Sequence, residues 1–190
     1  HKAHAVTALR SQARDPVLVI TIDAMGDGTS VTVAEGRGGK MWLRYRQRGM
    51  ASINTHYSRI TEFLGFKALR HEGKITGLAA YAEPPPELLR HFERELHVID
   101  GAFNLRNYAL PDSDRDVFFA ALKGYPREQV ASACQRNVEK QVCAFVRHWV
   151  ARTGLHDVVV AGGLFANVKL NQRIHEMPEV DSLFVYPHMG

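Results

Sequence analysis

The stretches that decide the predicted fold are Val17–Ser30, VLVITIDAMGDGTS, and Val158–Asn171, VVVAGGLFANVKLN. Each is an apolar, β-branched run that ends in glycines and polar residues, a pattern typical of a buried strand followed by a turn. The first run continues into a second strand, whereas the second run continues into a helix. Backbone N–H groups at glycine turns can approach a phosphate closely, and a helix N-terminus adds a favourable dipole. The two stretches therefore predict a lobe that handles phosphate groups.

The composition predicts an ordinary globular chain. Its 190 residues are 45% hydrophobic and 23% charged, which favours one domain or one large lobe. The formal net charge of +4 is spread along the sequence and suits small anionic ligands as well as nucleic acid. No apolar run approaches the roughly 18 residues of a membrane span, and no signal peptide is visible. We therefore expect no membrane partner.

The two cysteines, Cys134 and Cys143, lie nine residues apart in a predicted long helix. That spacing places them on opposite faces and about 13 Å apart along the helix axis. A disulfide needs Cα atoms within about 7 Å of each other. The two thiols are therefore not expected to bridge, which favours a reducing, cytoplasmic location.

The order of the predicted elements is three strands, several helices, and then a strand, a helix and a strand. The first three strands read as an antiparallel meander. Apolar residues of the long helix recur at threes and fours, which predicts a buried stripe of Val138, Val142, Phe145, Val146 and Trp149. Residues 98–111 are expected to be extended and irregular. The predicted strands are 17–22, 29–34, 40–46, 158–161 and 183–186, and the predicted helices are 4–13, 52–64, 74–81, 87–96, 115–123, 126–153 and 167–176.

Some polar residues near the first strand could carry chemistry, and each has a structural alternative. Asp23 ends this strand, where α/β sheets bind ligands, and could be a metal ligand, a phosphate-site carboxylate or only a turn-forming aspartate. His1 and His4 lie near one helix face and could share a metal, or both could face solvent. Asp27-Gly28 could lie beside a phosphate, but this dipeptide is also a common hairpin signal.

Two later segments offer further candidates. Glu72 and Lys74 flank a glycine at a predicted helix start and could grip a phosphate or a polar substrate; the alternative is an ordinary surface ion pair. Gly162-Gly163 lies between a predicted strand and a predicted helix. The two glycines could let a nucleotide approach the backbone closely, or they could be required for close packing of the helix against the sheet, and the sequence favours neither interpretation. Asn167 and Asn171 share one helical face, and either could hydrogen-bond a ribose or point to solvent.

Five segments occur in a characteristic order over nearly the whole chain: HKAHA, VITIDAMGDGTSVTV, SINTHYSRITEFLGFKALRHEGKITGLAAYA, VVVAGGLFANVKLNQRI and FVYPHMG. In this order they resemble the O-carbamoyltransferases, the enzymes of nodulation-factor and antibiotic tailoring. The patterns EGK-x-x-GLAAY and AGG-x-x-x-N-x-x-x-N are specific when they occur in series. Ala82 stands where the family usually has a glycine.

The resemblance implies an α/β, actin-like ATPase (ribonuclease H-like) lobe, with a mixed five-stranded sheet of three antiparallel and two parallel strands flanked by helices. In this family the actin-like half transfers a carbamoyl group to a substrate hydroxyl, and a second half makes carbamoyl-adenylate from carbamoyl phosphate and ATP. A metal, typically iron, is bound by two histidines of an HHxxHA motif and by aspartates. We therefore expect a carbamoyltransferase whose partners are ATP, carbamoyl phosphate and a small-molecule hydroxyl acceptor, and not nucleic acid.

Carried onto this chain, the family pattern assigns His4 and Asp23 to the metal. The nucleotide is expected at the glycine turns, beside Gly26, Asp27, Gly28, Gly162, Gly163 and Asn167. The other metal histidine would precede His1 by one residue, and a further aspartate would follow Gly190. We therefore expect residues 1–190 to be a fragment that is inactive alone: the second lobe of the actin-like domain, without the first lobe and without the adenylate-forming half.

Three alternatives remain open at this stage. A tRNA threonylcarbamoyl-transfer protein shares the fold and the metal, but the EGK-x-x-GLAAY pattern argues against it. An actin-like sugar or acetate kinase lobe would need a catalytic carboxylate for a substrate hydroxyl and leaves the HxxHA start unexplained. A non-catalytic nucleotide-binding module would share the fold and need no metal. The acceptor, the metal and the general base are not identified by the sequence.

Overall fold

A mixed sheet with helices on both faces organises the structure, a computed structural model that describes residues 2–26, 28–49, 52–106 and 112–187. The strands are β1 (Val17–Gly26), β2 (Thr29–Arg37), β3 (Lys40–Arg48), β4 (Leu96–Ile99), β5 (Ala102–Leu105), β6 (Asp157–Ala161) and β7 (Ser182–Val185). The helices are α1 (Lys2–Arg10), α2 (Ile53–Phe63), α3 (Glu72–Leu78), α4 (Pro86–Glu95), α5 (Asp112–Leu122), α6 (Arg127–Thr153) and α7 (Val168–His175). Short 3₁₀ turns cover Ala79–Tyr81 and Gly163–Ala166.

The main sheet has the strand order β3-β2-β1-β6-β7. β1, β2 and β3 pair antiparallel, whereas β6 and β7 add in parallel beside β1. The predicted mixed five-stranded sheet is therefore confirmed. β1 is the central strand, and its residues 17–22 are fully buried. A continuous β-branched run, rather than an alternating one, is what a strand covered on both faces requires.

The two faces of the sheet are covered unequally. α1 packs on one face, where its small buried side chains Ala5 and Ala8 form a minor apolar cluster with Val17 and Val19. The other face carries the main core, and α6 runs through it with the predicted stripe from Val138 to Trp149 buried. Within the described ranges, no helix is both long enough and apolar enough to cross a membrane.

β3 forms one edge of the sheet and is largely exposed. Its side chains include two exposed apolar residues, Trp42 and Leu43. It also carries four cationic residues, Lys40, Arg44, Arg46 and Arg48. Arg44 bonds to Glu35 on β2 at 2.8 Å.

The expectation that residues 98–111 are irregular is wrong over residues 98–105. Leu96–Ile99 and Ala102–Leu105 pair antiparallel as a hairpin, β4–β5. Its two turn residues, Asp100 and Gly101, have positive φ values of 49° and 71°. An Asp-Gly pair in this conformation is the preferred two-residue hairpin turn, because its twist matches that of the strands.

Candidate functional site

The candidate site lies where two neighbouring parallel strands end. β1 and β6 pair in parallel, with Thr21 opposite Ala161. Asp23 follows on β1, and Gly162-Gly163 follows β6. Because the carboxyl ends of parallel strands meet at one edge of a sheet, the sequence elements predicted for metal and nucleotide come together there. This is the edge at which open α/β sheets bind ligands.

His4 meets Asp23 at this edge. α1 brings the His4 side chain over the sheet, and its Nε2 atom lies 3.6 Å from Oδ2 of Asp23. Both side chains are partly exposed, at 23% and 29%. The other carboxylate oxygen, Oδ1, accepts the N–H of Ala24 at 2.7 Å. This bond fixes the carboxylate with Oδ2 turned toward the histidine.

The donor atoms of His4 and Asp23 fit two ligands of one metal ion. Histidine nitrogen and carboxylate oxygen each bind metals at about 2.1 Å, and donor atoms 3.6 Å apart are close enough to bind the same ion. Among the described residues, no group of three or more His, Cys, Asp or Glu side chains could hold a metal. Within the described part of the chain, His4 and Asp23 could therefore supply at most two ligands to a metal ion.

Gly162 is required by the packing of the sheet. Its φ of 104° and ψ of 162° lie in a region that is essentially restricted to glycine. A Cβ atom at this position would lie 2.4 Å from the carbonyl oxygen of Ile22 on β1. Of the two interpretations of this turn, close packing therefore accounts for Gly162, and Gly163 then begins the 3₁₀ turn.

The β1–β2 turn lies at the same end of β1. Gly26 pairs with Thr29, and Gly28 has a φ of 69° with open space around the position of a Cβ. The carbonyl of Gly28 accepts the N–H of Gly49 at the end of β3. Asp27, the other predicted phosphate neighbour here, lies outside the described residues.

Asn167 is engaged within the chain. As the N-cap of α7, its Oδ1 accepts the N–H of Leu170 at 3.1 Å, which satisfies a free donor of the first turn. Its Nδ2 donates to Oε1 of Gln135 on α6 at 2.8 Å. The structure thus places Asn167 between the 3₁₀ turn and α6. Asn171, on the next turn, donates to the carbonyl of Phe165 at 2.7 Å rather than pointing free into solvent.

Glu72 and Lys74 have local partners. Glu72 Oε1 accepts from Oγ of Ser58 at 2.7 Å and from the N–H of Leu69 at 2.5 Å. The Lys74 ammonium lies 5.3 Å from the ring centre of Phe66. Glu72 therefore joins α3 to α2, and its partners are not those of the surface ion pair considered from the sequence.

A cleft of about 790 Å³ opens beside Gln135, the hydrogen-bond partner of Asn167. α6 lines it with Gln135 and Cys143, and α7 lines it with Lys169. Thr76 of α3 and Ala79 of the following 3₁₀ turn line it as well. Burial raises the pKa of the Cys143 thiol to about 11, and the neighbouring Arg147 opposes this shift only partly. The cleft thus carries a neutral thiol among polar and charged groups.

Gln135 was not singled out from the sequence, although a signal for it is present. It stands three residues before Val138, in register with the apolar stripe of α6, and only 3% of it is exposed. A polar residue at a buried stripe position requires hydrogen-bond partners. The position of Gln135 therefore indicates that its side chain hydrogen-bonds to a polar residue of another element.

Comparison with known proteins places this arrangement in a family. All of residues 1–190 match the family model described as Carbamoyltransferase N-terminus. An uncharacterized protein of Synechocystis sp. is 27% identical over 206 aligned positions, covering 100% of this chain and 33% of that protein. The nodulation protein NolNO of Sinorhizobium fredii is 26% identical over 192 positions, covering 98% of this chain and 28% of that protein. The chain thus spans about a third of the length of these curated relatives.

A solved structure supports the fold. Component A of (R)-2-hydroxyglutaryl-CoA dehydratase from Acidaminococcus fermentans aligns with a TM-score of 0.50 over 90% of this chain and 55% of that chain. Its sequence identity is 16%, so the likeness concerns the fold alone, and it confirms the predicted actin-like architecture. Residues 1–190 belong, by the match of the whole chain, to the carbamoyltransferase N-terminal family.

Proposed function

We propose that this chain is the part of a carbamoyltransferase that transfers a carbamoyl group from carbamoyl-adenylate to a hydroxyl of a small-molecule acceptor. The observation that carries the proposal is the family match over all 190 residues. The meeting of the metal and nucleotide candidates at the carboxyl ends of β1 and β6 supports it.

The proposed step is an acyl transfer. The acceptor hydroxyl oxygen forms a bond to the carbamoyl carbon, and the bond from that carbon to the phosphate oxygen of the adenylate breaks. AMP leaves with the electron pair, and the hydroxyl proton passes to a base or to solvent. Negative charge develops on the carbamoyl oxygen during the step, so a site for this reaction needs a positive group beside that oxygen.

A metal ion, expected to be iron, would be held by His4 and Asp23. Their donor separation of 3.6 Å supports this assignment. When bound, such an ion would polarise the carbamoyl carbonyl and stabilise the developing charge. The N–H of Ala24 contributes by orienting the Asp23 carboxylate, which leaves one oxygen directed to the site.

The nucleotide is proposed to lie along the two glycine turns. Its phosphates would approach the backbone at Gly26, Asp27 and Gly28, where the space beside Gly28 is open. Its nucleoside end would extend past Gly163 toward the cleft lined by Gln135, the hydrogen-bond partner of Asn167.

We further propose that residues 1–190 form the second lobe of the actin-like domain in a longer enzyme. The share of the curated relatives that the chain spans, 33% and 28%, supports this. In this proposal another part of the enzyme makes carbamoyl-adenylate from carbamoyl phosphate and ATP. Residues 1–190 alone should therefore form no carbamoylated product.

The test is product formation by the full-length protein from ATP, carbamoyl phosphate and a panel of aminoglycoside, sugar and cephem alcohols, followed by mass spectrometry. The proposal expects a carbamoylated acceptor and AMP. Asp23→Asn should abolish transfer without loss of fold. Asp157→Asn is the matched control, because Asp157 starts β6 at the opposite end of the sheet and bonds to Arg14 at 3.1 Å.

The outcomes separate the alternatives. A phosphorylated acceptor with ADP would identify a kinase, and modification of tRNA alone would identify a threonylcarbamoyl-transfer protein; either result refutes the proposal. Equal activity in the Asp23 and Asp157 variants would refute the assignment of the site to the carboxyl end of β1.

A further inference from the structure

Gln135 is a buried polar residue whose side chain bonds to residues of several different elements. It lies on α6, and its neighbours come from α2, from α7 and from the next turn of α6. Only 3% of the residue is exposed, so each of its polar atoms depends on protein partners.

The side-chain amide of Gln135 pairs reciprocally with that of Asn167. Nδ2 of Asn167 donates to Oε1 of Gln135 at 2.8 Å, and Nε2 of Gln135 donates to Oδ1 of Asn167 at 3.2 Å. Two antiparallel bonds between planar amides fix both distance and orientation. The pair therefore fixes the first turn of α7 against α6.

The other hydrogen-bond donor and acceptor positions of the Gln135 amide also have partners. Its Oε1 accepts the Tyr57 hydroxyl at 2.8 Å, and its Nε2 donates to Glu139 Oε1 at 2.7 Å. A glutamine amide has two N–H donors and an oxygen with two lone pairs, so all four are satisfied. Because an ionised Glu139 only accepts, Nε2 must face it, and the amide cannot turn over.

The same amide connects the two walls of the cleft. Tyr57, on α2, also contacts the Thr76 hydroxyl of α3 at 3.2 Å, within the EGK-x-x-GLAAY pattern. Asn167 belongs to the AGG-x-x-x-N pattern and follows the 3₁₀ turn. Thr76 and Gln135 both line the cleft. A shift of Gln135 would therefore move both walls relative to each other.

We infer that Gln135 is a positioning residue that holds Asn167, and with it the turn that begins at Gly163, at the spacing required for the nucleotide. This inference rests on the proposed function. In this inference Asn167 is a structural link as well as a predicted neighbour of the nucleotide, since its side chain bonds to Gln135 and to the N–H of Leu170. Gln135 acts through Asn167 and needs no contact with the nucleotide itself.

The principal test is Gln135→Glu in the full-length protein. An ionised carboxylate could still accept from Nδ2 of Asn167, but it would lose the N–H donors to Asn167 and Glu139. One bond of the amide pair would be lost, and the new carboxylate would be repelled by Glu139. Protonation restores one O–H donor, and burial together with a neighbouring carboxylate raises the pKa of the new group. The other titratable groups near this position are Arg173, which pairs with Glu139, and Tyr57, whose raised pKa keeps it neutral. Cys134 on α6 and Glu72 on α3 also act electrostatically on Tyr57.

The measurement is photolabelling with an azido-ATP, with the labelled peptides assigned by mass spectrometry so that label within residues 127–187 is counted separately. Gln135→Glu should need about tenfold more probe for half-maximal labelling at about pH 8, the size expected for one lost buried hydrogen bond. The difference should shrink as the pH falls to about 6. The wild-type protein should show no such recovery.

Gln141→Glu is the matched control. Gln141 is also a buried amide on α6, and it bonds to Asn137 at 3.2 Å and to the N–H of Val98 at 3.0 Å, on the side of the helix that faces the β4–β5 hairpin. Its replacement should lower stability and leave labelling of residues 127–187 unchanged. Asn167→Asp is a second variant that keeps the N-cap oxygen but loses the donor to Gln135, so it should also weaken labelling.

The outcomes distinguish the proposed nucleotide site from the positioning role of Gln135. If the wild-type protein shows no saturable labelling within residues 127–187, the proposed nucleotide site is refuted, and the inference fails with it. If the wild type is labelled and Gln135→Glu behaves like Gln141→Glu at every pH, the nucleotide site stands and the positioning role is refuted. If Gln135→Glu does not fold, unchanged labelling of Asn167→Asp refutes the role.

Discussion

The Gly162→Ala substitution tests the structural interpretation of the Gly-Gly turn. The backbone of Gly162 lies in a region where a side chain costs about 1–3 kcal/mol. The new methyl would lie 2.4 Å from the Ile22 carbonyl oxygen, an overlap of a kind that costs about 1–3 kcal/mol when a packed structure must shift. Because Ile22 belongs to the central strand and pairs with Val31, its backbone cannot move away cheaply. We therefore expect the free energy of unfolding to fall by about 4 kcal/mol.

Gly154→Ala is the matched control for this prediction. Gly154 caps α6 with a φ of 68°, but nothing lies within 4 Å of its Cβ position. Its replacement should therefore cost only the left-handed backbone strain, about 1–2 kcal/mol. Urea denaturation of both variants, followed by circular dichroism, gives the two values. Equal losses for Gly154→Ala and Gly162→Ala would refute the argument that contact with β1 requires a glycine at the turn.

Three further predictions concern the metal candidates, the buried His56 and the half-buried Cys143. His4→Ala and Asp23→Ala should each lower the metal content of the full-length protein and abolish transfer; wild-type metal content in both, by elemental analysis, would contradict the assignment. Burial lowers the pKa of His56 from 6.5 to about 4, so the unfolded chain binds the proton more strongly and stability should fall as the pH drops from about 6.5 to 4. His56 should contribute about 3 kcal/mol to this fall, and His56→Phe should lose that contribution, as measured by urea titrations of both proteins across this range. With a pKa of about 11, Cys143 should react with iodoacetamide at pH 8 about a hundredfold more slowly than an unfolded cysteine, and equal rates would contradict its burial.

The strongest sequence patterns predicted the sheet correctly. The β-branched runs at 17–22 and 158–161 became the two central parallel strands, because only a strand buried on both faces tolerates continuous apolar residues. The stripe of α6 and the end of this helix at Thr153 were confirmed for a similar reason, since both depend on local signals.

Sequence reasoning failed where the signal was short or the contact was distant. The β4–β5 hairpin is built on Asp100-Gly101, a recognised turn pair whose flanking strands of four residues are too short to show alternation. The Gln135–Asn167 pair joins residues 32 positions apart, and no local pattern specifies which buried amide meets which. Likewise, the contact between Gly162 and the Ile22 carbonyl depends on strand pairing, so the sequence left packing and nucleotide approach equally open.

The cationic residues of β3 also determine how this edge of the sheet meets another copy of itself. An exposed edge strand is a template for pairing, and the exposed Trp42 adds apolar area to it. Antiparallel pairing of two copies centred on Arg44 would place Arg44 opposite Arg44 and Lys40 opposite Arg48. Like charges directly opposite each other destabilise a strand pair. The edge therefore repels its own copies electrostatically, and because added salt screens such repulsion, self-association of the protein should increase with ionic strength.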